Sequence, residues 1–257
     1  MSQVLDEILR TGFVQSAEGE QVAVHSQIPR EEGEFLQKLV REVKPRASVE
    51  VGLAYGISSL FICEALAQVG AERHVVIDPY QFEGWKGIGL KNLREGGYEK
   101  LIDFRGVSSH LALPQLEAEG LKIDFAFIDG WHTFDYALLE FFYVDRLLRV
   151  GGVVVFDDTL YPSVRKVCRY VVTNRAYTVV NRPSGPETRA PWSKTRMLLK
   201  APVISPYLNR IAKPEVVEPD EILGLPAGNY IALRKDGDDV FGDGSGGTRR
   251  WDFHKEF

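Results

Sequence analysis

Between Ile123 and Thr159 the chain reads IDFAFIDGWHTFDYALLEFFYVDRLLRVGGVVVFDDT. Two apolar runs, Phe125–Ile128 and Val153–Phe156, each end in acid: Asp129, with His132 three residues on, and the pair Asp157 and Asp158. Set side by side as parallel strands, these runs would bring three carboxylates and an imidazole to one rim of a sheet. That rim is where open α/β sheets bind ligands. Carboxylates gathered there repel one another unless a cation or protons intervene, which points to a hard divalent metal with oxygen ligands.

The rest of the chain supplies the sheet. A helical pattern from Arg30 (REEGEFLQKLVREVKP) places Leu36, Leu39, Val40 and Val43 on one face and stops at Pro45. Ser48–Val51 is a short strand broken by Gly52, and GLAYGISS leads into the apolar helix LFICEALAQVG. His74–Ile77 is a second strand, ended by Asp78 and Pro79. Trp85–Gly97 reads as a short helix, Leu101–Phe104 as a third strand, Leu111–Glu119 and Thr133–Arg149 as helices, with Gly151-Gly152 as the turn before the fifth strand. A helix over Ser163–Ala176 and strands at Tyr177–Val180 and Asn229–Arg234 follow. Alternating strands and helices argue for βαβ units and a parallel sheet.

Length and composition narrow the class. A chain of 257 residues suits one large α/β domain with a sizeable core. Residues 1–29 read as an N-terminal extension with a short helix near Leu5–Leu9, 30–236 as the domain, 182–227 as a substrate or lid insertion, and 237–257 as a flexible Gly/Asp-rich tail. The net charge of -5 and the lack of a Lys/Arg block leave no footprint for nucleic acid. No apolar run reaches the ~20 residues of a membrane span, and the N-terminus lacks a signal-peptide pattern. Cys63 and Cys168 sit in apolar segments without metal-ligand spacing, as buried free thiols. The chain reads as cytoplasmic. The aromatic cluster Phe134, Tyr136, Phe141, Phe142 and Tyr143 reads as core or as an oligomer face, and an exposed face would favour a homodimer.

The glycine loop is chemically informative. A dinucleotide fingerprint needs G-x-G-x-x-G so that backbone approaches a pyrophosphate. Here Leu53, Ala54 and Tyr55 stand between Gly52 and Gly56, which crowds a pyrophosphate. Asp78, at the end of the next strand, stands where an acid accepts ribose hydroxyls in this architecture. The implied ligand is a nucleoside with a compact tail.

In order and spacing, EVGLAYGIS, VVIDP, RGVSSHLALPQL, FIDGWH and VVVFDDT resemble the class I S-adenosylmethionine-dependent methyltransferases. The resemblance is strongest to metal-dependent small-molecule O-methyltransferases of the catechol and macrolide-sugar kinds, and it covers roughly Arg30–Val180. It implies a Rossmann-like, doubly wound α/β fold whose seven-stranded sheet has order 3-2-1-4-5-7-6, the last strand antiparallel. By the same resemblance, Gly52 and Gly56 let the loop approach the methionine part of S-adenosylmethionine, with Glu50 and Ser58 fixing its polar ends. Asp78 would take the ribose, Gly106, Val107 and Ser108 would wrap the adenine, and Asp129 also borders the cofactor. Asp129, Asp157 and Asp158 match the metal carboxylates, the ion expected being Mg2+, although catechol enzymes usually carry Asn where Asp158 stands. His132 falls where catechol enzymes have a catalytic lysine and macrolide-sugar enzymes a histidine, which points away from catechols.

These types suit the chemistry. A divalent ion holding two neighbouring acceptor oxygens lowers a hydroxyl pKa, and an imidazole with an ordinary pKa of ~6.5 takes a proton near neutrality. Trp131 is expected to wall the acceptor pocket, and Trp85 to border the cofactor. The expected acceptor is a hydroxyl of a small molecule, a sugar or a natural-product intermediate. Two other readings stand beside this one: a catalytically silent S-adenosylmethionine-binding module, and a nicotinamide-dependent oxidoreductase. The plain reading of the strand-end acids is that they cap the following helices.

Overall fold

The computed structural model describes residues 2–181 and 218–238. Its centre is a seven-stranded sheet. The strands are β3 (Ala47–Val51), β4 (Arg73–Ile77), β5 (Ile102–Arg105), β6 (Ile123–Ile128), β7 (Leu148–Phe156), β8 (Tyr177–Val179) and β9 (Ile231–Lys235), in the spatial order β5-β4-β3-β6-β7-β9-β8. Counting from β3 as the first strand, this is 3-2-1-4-5-7-6, and β9 runs antiparallel to both β7 and β8. The expected topology is therefore present, with its switch point between β3 and β6.

Helices cover both faces. Helix α2 (Arg30–Val43) and the nearly all-apolar α3 (Ile57–Val69) pack together on one side, where Leu36, Leu39, Leu60, Phe61 and Leu66 meet Phe125, Phe127, Val153 and Val155. Helices α5 (Ser109–Ala118), α6 (Phe134–Leu147) and α7 (Pro162–Asn174) cover the other, where Leu113, Leu116, Phe141, Val144 and Val167 meet Val49, Ala126, Val154 and Phe156. Both faces of the central strands are buried, as parallel sheets require. Cys63 and Cys168 lie in these layers as free, buried thiols, and burial pushes both upward from the ordinary thiol range.

Several details differ from the sequence reading. The short helix expected near Leu5–Leu9 is present as α1 (Gln3–Thr11), capped by the Ser2 side chain, but it is followed by an unforeseen two-stranded hairpin of β1 (Phe13–Gln15) and β2 (Gln21–Ala23). Helix α4 covers only Ile88–Glu95, so Trp85 stands in the turn before it, and Gly87 at φ +68° breaks the two apart. Strand β7 already begins at Leu148 and carries Gly151-Gly152 within it, with an irregular register between Ile123 and Phe125. The pattern of small residues looked like a turn because Arg149–Gly151 are exposed, while the buried part starts at Gly152 and continuous pairing with β6 at Val153. The aromatic cluster splits: Phe141 is core, while Phe134 and Phe142 are exposed. Of the expected insertion and tail, residues 182–217 and 239–257 lie outside the described residues. Within 218–227 a short helix, α8 (Asp220–Leu223), is tied to α7 by ion pairs from Arg165 and Arg169 to Asp220.

Candidate active site

The carboxyl ends of β3, β4, β6 and β7 open into one cavity of about 820 Å³, within the range of small-molecule sites. Gly52, Ser58, Asp78, Ser108, Asp129, His132, Asp157 and Asp158 line it. Of the other sequence candidates, Glu50, Gly56, Gly106 and Val107 are not among the lining residues.

The glycine loop owes its course to close backbone packing. Gly52 has φ +92°, and a Cβ there would stand 2.0 Å from the Asp129 carbonyl oxygen. Gly56, at φ +76°, would put a Cβ 3.0 Å from the Gly89 carbonyl at the start of α4. One loop thus presses directly on the segment that carries the acids. The Asp78 carboxylate organises the same loop: Oδ2 accepts from the N–H groups of Leu53 (3.2 Å) and Ala54 (2.9 Å), and Oδ1 from that of Tyr80 (2.8 Å).

Glu50 is wholly buried below this loop. Its oxygens accept from Ser58 Oγ and Ser59 Oγ, both at 2.5 Å, and from the His74 ring at 2.9 Å, while the other ring nitrogen of His74 meets Ser48 Oγ at 2.9 Å. The placement makes Glu50 an internal tie between β3, β4 and α3, with Ser58 as its one partner on the cavity wall.

At the opposite wall the acids converge. Ligand atoms of Asp129, His132 and Asp158 lie within 4.8 Å of one another. His132 Nε2 is 3.1 Å from Asp158 Oδ2, its ring stacks on Tyr161 at 5.4 Å and 11°, and its carbonyl accepts from Ser163 Oγ at 2.5 Å. Asp158 sits at φ +54°, a strained backbone state for a residue with a side chain, of the kind found at functional sites. Asp157 is not one of that trio; its Oδ1 accepts from the Asp158 N–H (2.6 Å) and from Asn229 Nδ2 (2.9 Å), an amide that also reaches Asp158 Oδ1 at 3.2 Å. The acids do not cap the next helices, since neither α6 nor α7 has a side-chain cap bond.

Charge crowding shows in the ionisation of these groups. Burial, then the charges of Asp157 and Asp158, push Asp129 well above the usual carboxylate range. Asp157 is raised to about 6, by burial first and by Asp158 in addition. Glu32, on the first turn of α2, is raised to about 9 by burial and by facing Asp157 and Asp158. Two hard oxygen ligands and an imidazole, crowded by further carboxyl groups, form a donor set that fits a divalent cation.

Four contributors were not singled out from the sequence. Glu32 and Asn229 come from the two ends of the domain. Glu140 of α6 is wholly buried behind Gly130, where Ser109 Oγ donates to Oε1 at 2.7 Å and Oε2 has no partner. His25, from the segment after β2, joins Tyr55 and Trp85 in an aromatic cluster at the cavity edge, its ring bonded to Tyr55 Oη at 2.8 Å. Of these four, only the amide residue Asn229, just ahead of an apolar strand, left a trace in the sequence comparable to that of the strand-end acids. Trp131 is half-exposed and stands edge-on to Tyr80 at 6.1 Å, which sets it beside the Asp78 end of the cavity.

Comparison with known proteins adds to this geometry. A family model described as a methyltransferase domain matches residues 49–159. Among curated relatives, a tapetum-specific methyltransferase of Arabidopsis thaliana is 30% identical over 135 residues, covering 52% of this chain and 55% of that protein. A caffeoyl-CoA O-methyltransferase of Stellaria longipes is 29% identical over 136 residues, covering 50% and 52%. The chain spans about half the length of the curated relatives it matches. Among solved structures, an O-methyltransferase from Bacillus cereus in complex with SAH superposes with TM-score 0.57 at 20% identity, covering 70% of this chain and 83% of that one. An O-methyltransferase of tomaymycin synthesis from Streptomyces achromogenes, in complex with SAM, gives 0.57 at 22% identity, covering 70% and 82%. The chain thus has the Rossmann-like fold of these solved structures, with strand order 3-2-1-4-5-7-6, and over residues 49–159 it is similar to a methyltransferase domain.

Proposed function

We propose that this chain is an O-methyltransferase that moves the methyl group of S-adenosylmethionine to a hydroxyl of a small molecule with the help of a divalent cation. The observation that carries this reading is the joining, in a single cavity, of the Gly52–Asp78 cradle with the Asp129, His132 and Asp158 group. The names of relatives and structural neighbours, which include O-methyltransferases, support it.

S-adenosylmethionine supplies an electrophilic methyl group, and a divalent cation, when bound, lowers the pKa of the acceptor hydroxyl. The chain's own residues do the positioning. The tight course of Gly52 brings the loop against the Asp129 segment, so the ends of the two reactants meet where that loop and the acids touch. Asp78 stands ready for ribose hydroxyls, and Ser108 for the base. Asp129 and Asp158 would hold the cation, with Asp157 fixed behind them by Asn229. Stacking on Tyr161 and the contact with Asp158 hold the His132 ring, which we assign as the group that takes the acceptor proton. Holding both partners in line contributes much of the acceleration.

Because His132 also stands among the ion-binding atoms, a second assignment, as metal ligand, has a specific basis. His132→Ala separates the two. Loss of turnover with Mn2+ binding intact supports the base, and loss of Mn2+ binding supports the ligand. The main reading is tested by calorimetry with S-adenosylhomocysteine and with NAD. Binding of the first alone is expected; binding of NAD alone would overturn it in favour of an oxidoreductase. Turnover lost on chelation and restored by Mg2+ is expected of the metal-assisted enzyme, whereas binding without turnover on any hydroxyl acceptor would favour a silent binding module.

A further inference from the structure

Behind the glycine loop runs a row of polar side chains closed off from water. Ser48 and Glu50 stand two residues apart on β3 and so share one face of the sheet, and His74 lies beside Ser48 in the β3–β4 register. Ser48, Glu50, Ser59 and His74 are wholly buried, and of the row only Ser58 reaches the cavity wall. Ser48 Oγ meets His74 Nδ1 at 2.9 Å, and His74 Nε2 meets Glu50 Oε2 at 2.9 Å. Ser59 Oγ donates to that same carboxyl oxygen and Ser58 Oγ donates to Oε1, both at 2.5 Å. Buried polar groups cost free energy unless each is paired. This row is paired throughout and ends at a ligand cavity.

A serine hydroxyl has one hydrogen to give and two lone pairs. With its hydrogen given to Glu50, Ser58 has only lone pairs left for the cavity. Which of Glu50 and His74 holds the hydrogen between them makes no difference, because Ser58 bonds the carboxyl oxygen that His74 does not. The His74 ring, held on its far side by Ser48, fixes the plane of the Glu50 carboxyl and with it the place of Oε1. In S-adenosylmethionine the groups with hydrogens to give are the ribose hydroxyls, met by Asp78 in the reading above, the amine of the base, beside Ser108, and the ammonium of the methionine end. The carboxylate next to that ammonium has none. We propose that His74 is a positioning residue for the cofactor: through Glu50 it keeps the Ser58 hydroxyl turned inward, so that Ser58 accepts a hydrogen bond from the ammonium of the methionine end and turns away the neighbouring carboxylate. The proposal rests on the cofactor reading above. It also gives Glu50, which does not line the cavity, its part in binding through Ser58.

The test is calorimetric titration of the full chain, native and as Ser58→Ala, His74→Asn and His74→Gln, with three probes: S-adenosylhomocysteine, its analogue without the amino group and its analogue without the carboxylate. A hydrogen bond from a charged group contributes roughly tenfold or more to affinity. Ser58→Ala is expected to lose that factor for the two probes that carry the amino group and to bind the deaminated probe as the native chain does. Gln brings an amide to the place of His74 Nε2 and can donate to Glu50, whereas Asn stops short of it. His74→Asn should therefore show the Ser58→Ala pattern in weaker form, and His74→Gln should restore the native one. A merely structural His74 would weaken all three probes alike. Should His74→Asn not fold, Ser48→Ala, which frees the far side of the ring, is read by the same criteria. A loss in Ser58→Ala that follows the carboxylate instead of the amino group, equal weakening of all three probes in His74→Asn, or no recovery in His74→Gln overturns the proposal. If the native chain binds S-adenosylhomocysteine without this pattern, the proposal falls alone; if it binds none of the probes, the cofactor reading falls and takes the proposal with it.

Discussion

Gly52 has no room for a side chain, because the Asp129 carbonyl occupies the place where a Cβ would go. Gly52→Ala therefore forces the loop and the β6 end apart. Backbone strain of this kind costs about 1–3 kcal/mol, and the displaced Asp129 should lower both S-adenosylhomocysteine and Mn2+ affinity, measured by calorimetry. Loss of only one of them would contradict the contact between loop and acid. Glu140 offers a second test, by pH. Burial raises its carboxyl to about 8 from an ordinary 4.5, so the stability it contributes is full below about pH 4.5 and is lost as pH rises through about 8. Urea unfolding across that range should show Glu140→Gln gaining on the native chain as pH increases; parallel curves would refute the assignment. Single residues also mark the limit of sequence reading. Asp129, Asp157 and Asp158 were visible because each follows an apolar run. Glu32 and Glu140 each look like one more polar residue on an amphipathic helix, and their burial depends on chain that lies far away.

At the scale of elements, the strand and helix succession was legible wherever apolar runs were bounded by Gly, Pro or acid, as at Val51–Gly52 and Ile77–Pro79. It was less legible at β7, where glycines lie inside a strand, and in the N-terminal hairpin, whose three-residue strands carry too little period to be read. The tie at Glu50 joins β3, β4 and α3, and Glu50→Ala would leave Ser58, Ser59 and His74 without their shared acceptor. A loss of about 3 kcal/mol or more is expected in denaturant unfolding. If stability holds and cofactor affinity alone falls, Glu50 is a ligand contact instead. The hairpin is held over the cavity edge by His25 on Tyr55 and by Lys86 on Glu20. Tyr55→Phe removes the first of these. It should change global stability by ~1 kcal/mol or less while speeding S-adenosylhomocysteine release, followed by stopped-flow fluorescence; an unchanged release rate would show that the hairpin does not retain the ligand.

Across the whole molecule, the site draws on parts of the chain as distant as Glu32 and Asn229, so ligand binding and folding are linked. A ligand present at 100 times its dissociation constant stabilises the chain by about 2.7 kcal/mol. S-adenosylhomocysteine and Mn2+ should each raise the melting temperature, and together by more than either alone. Among the described residues no helix is long and apolar enough to cross a membrane. The order of strands in the sheet also sets an order of events during synthesis. Strand β8 pairs with β9 alone, and β9 lies between β8 and β7. A nascent chain that has emerged only as far as β8 thus has no slot for that strand, and the edge of β7 stays open until Ile231–Lys235 leave the ribosome. Asn229 arrives with them, so the clamp on Asp157 and Asp158 closes in the same late step that completes the sheet. Until then the growing polypeptide presents an unpaired strand edge, and a chaperone acting at that point would protect the acid-bearing rim and the fold together.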